Sequence, residues 1–123
     1  MALAVAVGAF AGCTPAVGFH GGLAVAGASL LRLNRLWAFV GSRVSNFLVF
    51  PWIVMAEIQL AHRARSGSWV SLTRENVLSN ASALLADWCL GSIAVGAVVA
   101  VFCGALAHGW ASARAHRARR ARP

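Results

Sequence analysis

Apolar residues run almost unbroken through residues 1–31, 36–60 and 88–110, and polar residues gather between these stretches. A helix that crosses a bilayer needs about 20 apolar residues. Residues 1–31 carry no formal charge, yet they are too many for one untilted span and too few for two. Their middle is poor helix material. Pro15 removes a backbone donor and clashes with the preceding turn, and Gly18, Gly21 and Gly22 favour turns. The pattern predicts two short helices meeting at a break, each about 15–18 Å long at 1.5 Å per residue. That is about half a bilayer, the geometry of a re-entrant hairpin. Broken backbone at such depth requires protein or a watery cavity around it.

Arg32, Asn34 and Arg35 close this first stretch and read as an interface. The second stretch is also broken near its centre, by Arg43, Ser45-Asn46 and Pro51. Phe47-Leu48-Val49-Phe50 between them is too apolar for an exposed loop. Pro15, Gly18 and Pro51 are therefore the expected helix breaks.

Residues 62–70 read as a polar linker. A helix is expected from Thr73, which can cap it, with Glu75 favourable in its first turn. Val77, Leu78, Ala81, Leu84, Leu85 and Trp88 share one face of that helix. Residues 73–87 thus read as an interfacial amphipathic helix. Residues 88–110 form the plainest transmembrane candidate, with Trp88 and Trp110 at its two ends as interfacial aromatics. Ser92, Gly96, Ala100 and Gly104 recur every fourth residue and make a strip of small side chains. Ala4, Gly8 and Gly12 make a similar strip in the first stretch. In lipid, helix association depends on close packing, so both strips are expected to mark helix contacts.

The sequence therefore predicts an all-α integral membrane protein. It has two Gly/Pro-broken segments (1–33 and 36–62, re-entrant or kinked), an amphipathic helix (73–87) and one regular transmembrane helix (88–110). Together these form a single membrane domain over residues 1–112, and residues 113–123 are an Arg-rich tail expected to be disordered.

Composition strengthens this picture. Of the 123 residues, 59% are hydrophobic and 11% charged, against about 25% charged in soluble domains. A chain this short cannot bury so much apolar surface in a water-facing globule. The net charge is +8, all basic residues are Arg, and the acids are Glu57, Glu75 and Asp87. Five Arg lie in the tail, without aromatic interleaving. This argues against a nucleic-acid face and for a juxtamembrane anchor that attracts anionic lipid. If residues 1–31 are re-entrant and residues 36–60 cross, the bias of Arg favours both termini on the cytoplasmic side.

Cys13, Cys89 and Cys103 are scattered within apolar runs, and His20, His62, His108 and His116 show no ligand spacing. No metal and no cofactor is expected. Phe10-Ala11-Gly12-Cys13 looks like a lipoprotein cleavage box, but no positive residue precedes its apolar run.

Several short motifs resemble one family in order. Gly8-Ala9-Phe10-Ala11-Gly12-Cys13-Thr14-Pro15-Ala16-Val17-Gly18-Phe19-His20 looks like its opening Gly-x-Phe-x-Gly-x-x-Pro-x-x-Gly-x-His/Gln motif. Leu31-Arg32-Leu33-Asn34 looks like its Leu-Arg-x-Asn step, and Ser45-Asn46 its Ser-Asn-Pro element. Glu57-Ile58-Gln59-Leu60 and Asp87-Trp88 with Leu90-Gly91-Ser92 are similar to one branch. The family is the bacterial membrane domain catalogued as domain of unknown function 2062. Phe47 stands where the family usually has Pro directly after Ser-Asn, which makes the second break less sharp. The resemblance implies a membrane fold with no established activity. Fusion of some members to glycosyltransferase domains implies a setting in the cell envelope.

Ionisable residues at membrane depth are functional candidates. Arg43 and Glu57 can pair only if the break at Asn46–Pro51 folds the segment back; otherwise each snorkels to an interface. His20 can shuttle a proton or bind a headgroup, or it can satisfy backbone freed at the break. Ser45 and Asn46 pose the same choice. His20, Arg43, Ser45, Asn46 and Glu57 are thus the candidate polar site. Two interrupted segments in succession point to a midplane site of the transporter kind. Two functions follow. The first is a transport or lipid-handling module of the inner membrane, acting where the breaks meet. The second is a non-catalytic scaffold or anchor for an envelope enzyme. Membrane lipids, further copies of the chain or that enzyme are the partners expected. No nucleophile–base pair or phosphate loop points to an enzyme.

Overall fold

The computed structural model describes residues 1–44 and 49–120. Every regular element among them is helical: α1 (Ala2–Gly12), α2 (His20–Leu30), α3 (Arg35–Gly41) with a 3-10 turn (Ser42–Val44), α4 (Phe50–Ser66), α5 (Arg74–Ser79) and α6 (Ala81–Arg120).

The first stretch is two helices of 11 residues each, about 16 Å long. Between them Gly18 takes φ 87°, a left-handed conformation that costs glycine little. Pro15 lies inside the same break. α2 ends with Arg32 at φ 54° and a Leu33 N–H donating to the Ala28 carbonyl at 2.7 Å. This is the closing bond of a Schellman end. Asn34 then caps α3, its side-chain oxygen accepting from the N–H groups of Leu36 at 3.0 Å and Trp37 at 3.3 Å. The Leu31–Asn34 motif is therefore a stop signal followed at once by a start signal.

The second stretch divides into α3 with its 3-10 turn and α4. Ser45 and Asn46 lie outside the described residues. Pro51 sits in the first turn of α4, where a missing N–H costs nothing; it opens a helix and does not kink one. α4 continues through His62–Arg65, which the polar pattern of residues 62–70 assigns to a linker, and stops at Gly67, φ 75°.

The last third departs further from expectation. Thr73 occupies the cap position of α5 without a side-chain bond, and α5 has only 6 residues. The chain bends at Asn80 (φ −120°, ψ 26°) and then forms one helix of 40 residues. No boundary falls between Asp87 and Trp88, because α4 supplies partners for Asp87 and it can stay inside a helix. The tail, expected to be disordered, is helical as far as Arg120. Its Ala-Arg composition has high helix propensity, and it only needs to extend a helix already nucleated. α6 is about 60 Å long, twice the thickness of a hydrocarbon core. Its most apolar 18-residue window has a mean hydropathy of 2.3 and is only 17% buried inside the fold.

The helices meet through small residues. Ala4, Ala11, Ala24, Ala28 and Ala38 form the core, with Leu33 and Trp37 packed against it. A Cβ on Gly8 would collide with the Ala38 carbonyl, and one on Gly12 would come within 2.8 Å of the Ser42 carbonyl oxygen. The strip on α1 therefore faces α3 and its 3-10 turn. The α6 strip faces α1 by a different route. Ser92 and Gly96 are buried, and Ala100 and Gly104 half-buried. A Cβ on Gly96 would lie 3.2 Å from the Phe10 ring, and one on Gly104 3.1 Å from Ala6 Cβ. α6 is thus a spine. α1 packs antiparallel along its middle, from Gly96 to Gly104, and α4 antiparallel along its N-terminal part.

Candidate functional site

The contact between α4 and α6 holds the two fully buried acids of the protein, Glu57 and Asp87. Gly91 brings the helices together: a Cβ there would overlap the Glu57 backbone carbonyl. Close approach sets Glu57 opposite Trp88, whose indole Nε1 donates to Glu57 Oε2 at 2.8 Å. Among the described residues, Glu57 Oε1 has no hydrogen-bond partner. A buried carboxylate oxygen without a donor is costly, and such a group commonly serves to bind a proton, a cation or a donor.

Asp87, about one turn before Gly91, faces the next turn of α4. His62 Nδ1 donates to its Oδ2 at 3.1 Å. Arg65 Nη2 lies 3.0 Å from both Asp87 oxygens, with hydrogen-bond geometry only to Oδ2, so that Oδ1 accepts no bond. Arg65 is half exposed, which leaves its other N–H groups accessible. Gln59, two residues on from Glu57, clamps the following loop. Its amide donates to the Val70 carbonyl at 2.8 Å and accepts from the Val70 N–H at 3.0 Å.

The two late motifs therefore belong to one interface. Glu57 and Gln59 on α4 meet Trp88 and the loop, while Asp87 and Gly91 on α6 meet His62, Arg65 and the α4 backbone. The sequence pattern puts Asp87 at the last position of an amphipathic helix (73–87), Trp88 at a membrane interface and His62 and Arg65 in a linker. Only the order of the motifs hinted at this pairing.

The remaining candidates sit as follows. His20 Nε2 donates to the Thr14 carbonyl at 2.8 Å, and so ties up backbone freed at the first break. Its ring lies 6.3 Å from that of Phe50, which in turn lies 6.4 Å from Trp88. An aromatic path thus joins the first break to Glu57, and the start of α4 supplies its middle. Arg43 is exposed, its guanidinium 4.4 Å from the Phe39 ring centroid. Of the two alternatives open for Arg43 and Glu57, the ion pair is not formed: Glu57 has Trp88 instead, and Arg43 is exposed. No group of three His, Cys, Asp or Glu side chains among the described residues is placed to hold a metal ion.

Helices throughout the described residues, with one long and apolar enough to cross a membrane, define the class. The chain belongs to the family described as "Uncharacterized protein conserved in bacteria (DUF2062)", which matches residues 1–120. No curated protein and no solved structure matches it.

Proposed function

We propose that this protein is a transport or lipid-handling module of the bacterial inner membrane, working at the polar site centred on Glu57. The observation that carries this is that Oε1 of the fully buried Glu57 has no partner among the described residues, at the end of an aromatic path from the first helix break. A helix pair that only needed to stay together would be better served by an apolar residue there. The protein crosses the membrane more than once, α6 directs its basic end to the cytoplasm, and the chain acts without catalysing a reaction. At this size it works as an oligomer.

Proteoliposomes test this. Purified wild-type protein is expected to speed either proton entry, read by an internal pH dye, or exchange of labelled lipid between leaflets. Glu57→Gln should abolish that activity while eluting and melting like wild type. A wild type inert in both assays favours the other reading, a scaffold for an envelope enzyme. The observation behind that alternative is the tight α1–α6 contact at Gly96 and Gly104, which accounts for a rigid anchor without any polar site.

A further inference from the structure

The two buried acids of the α4–α6 interface stand in opposite electrostatic surroundings. Asp87 faces Arg65 Nη2 at 3.0 Å and His62 Nδ1 at 3.1 Å, and an adjacent guanidinium favours the charged form of a carboxyl group. Glu57 forms no ion pair among the described residues. Its one donor there is the neutral Trp88 indole, 2.8 Å from Oε2. Neighbouring groups do not make up the missing charge. Arg65 and His62, on the same helix, turn to Asp87, and Arg43 lies over the Phe39 ring. His20 bonds the Thr14 carbonyl, and the Phe50 ring stands between it and Trp88. From the end of α1, the titratable group within electrostatic reach is the buried Cys13 thiol, which brings no positive charge.

A carboxyl group that is 0% exposed and faces no cation takes up a proton rather than stay ionised. The neutral acid leaves one Oε1–H without a partner, a far smaller cost than a buried charge. Two acids in one interface, one neutral and one charged, divide the roles of proton carrier and fixed charge between them. Size and ligand chemistry exclude larger occupants. A lipid headgroup or a hydrated ion finds no surface on Glu57 to touch. A bare metal ion needs several oxygen ligands, whereas Trp88 points an N–H at this carboxyl group. A proton needs neither space nor further ligands.

We propose that the ligand of the Glu57 site is a proton, carried on Oε1 as the neutral acid, while Asp87 stays ionised as the countercharge of Arg65. The step is the addition of one proton to the Glu57 carboxylate and its release, with no other bond made or broken. This names the cargo of the site in the function proposed above and rests on that reading for its use. Occupancy by the proton is read without any flux, so either can fail alone.

Infrared spectra of the full chain in a maltoside detergent, which has no carbonyl group, test the proposal. The protein has only three acidic side chains, Glu57, Glu75 and Asp87, so each acid band can be assigned. At neutral pH the wild type is expected to show one C=O stretch of a protonated carboxyl group, above the amide band. It should move to lower frequency in heavy water. Glutamate labelled with heavy carbon at the side-chain carboxyl should shift it, and aspartate so labelled should not; neither requires a variant. Glu57→Gln should remove the band and Glu75→Gln should keep it. No band at neutral pH, a shift with labelled aspartate, or a band surviving in Glu57→Gln would overturn the proposal. So would a band unmoved by heavy water, because a carried proton must exchange. Proton entry into liposomes without the band would refute this assignment alone. The band without proton entry would uphold it and refute proton transport.

Discussion

The Trp88 indole donates to Glu57 Oε2 at 2.8 Å, and it is the one hydrogen bond this buried carboxylate receives from the described residues. Trp88→Phe keeps most of the volume and removes that donor. Leaving a buried acceptor wholly unpaired costs about 1–3 kcal/mol. Unfolding in mixed detergent should show that loss. Trp88→Phe combined with Glu57→Met should recover much of it, since removing both polar partners together can be nearly neutral. A double variant no more stable than Trp88→Phe alone would show that the bond does not matter to folding.

Gly91 and Gly109 lie on the same helix and should respond oppositely. A Cβ at Gly91 meets the Glu57 backbone, whereas one at Gly109 meets nothing within 4 Å. Gly91→Ala is expected to force α4 and α6 apart and cost about 1–3 kcal/mol or more. Gly109→Ala should be neutral or stabilising by up to about 1 kcal/mol, the propensity gain of a helical alanine. Melting temperatures of the two variants in one detergent decide it. Equal shifts would rule out the close crossing.

The α1–α6 contact offers graded substitutions. At Gly96 an added methyl comes to 3.2 Å from the Phe10 ring, a side chain able to move. Gly96→Ala should therefore be mild, while Gly96→Leu overpacks and should sharply lower the yield of monodisperse protein. Normal accumulation and elution of Gly96→Leu would contradict this packing.

Arg65 and Asp87 should be unequal partners. Asp87 is fully buried and Arg65 half exposed. Removing Asp87 leaves a cation that water can reach. Removing Arg65 leaves a buried carboxylate with only His62 beside it. Arg65→Ala should cost about 3 kcal/mol and Asp87→Ala about 1 kcal/mol, as unfolding midpoints would show. The reverse order would mean that Asp87 is not buried in the folded protein.

Gln59 makes a local prediction. Its amide bonds the Val70 backbone in both directions, so Gln59→Glu loses the donor and sets a carboxylate against a carbonyl. The loop between α4 and α5 should then open and be cut faster by protease, with α6 still intact. Cleavage at the wild-type rate would show that the clamp does not order the loop.

Much of the architecture is legible in the chain because its causes are local. The absence of charge from residues 1–31, Pro15 and Gly18 together predict two half-length helices, since backbone sterics act on neighbours. The fourfold recurrence of Ser92, Gly96, Ala100 and Gly104 shows a face built for close approach without showing what approaches. The misplaced boundary at Asp87 has the opposite cause. An acid and a tryptophan beside an apolar run look like an interface until a second helix supplies Arg65, His62 and Glu57.

Sequence alone thus determined the helical class, the first break, the apolar span and the faces reserved for contact, because periodicity and the stereochemistry of Gly and Pro decide these within a few residues. Only the tertiary structure decided which face meets which helix, that α6 runs unbroken from Ala81 to Arg120, and that Glu57 belongs to Trp88 and not to Arg43. Those outcomes depend on groups 22 to 31 positions apart in the chain. No local pattern encodes such a distance; the close crossing that glycine permits at position 91 sets it.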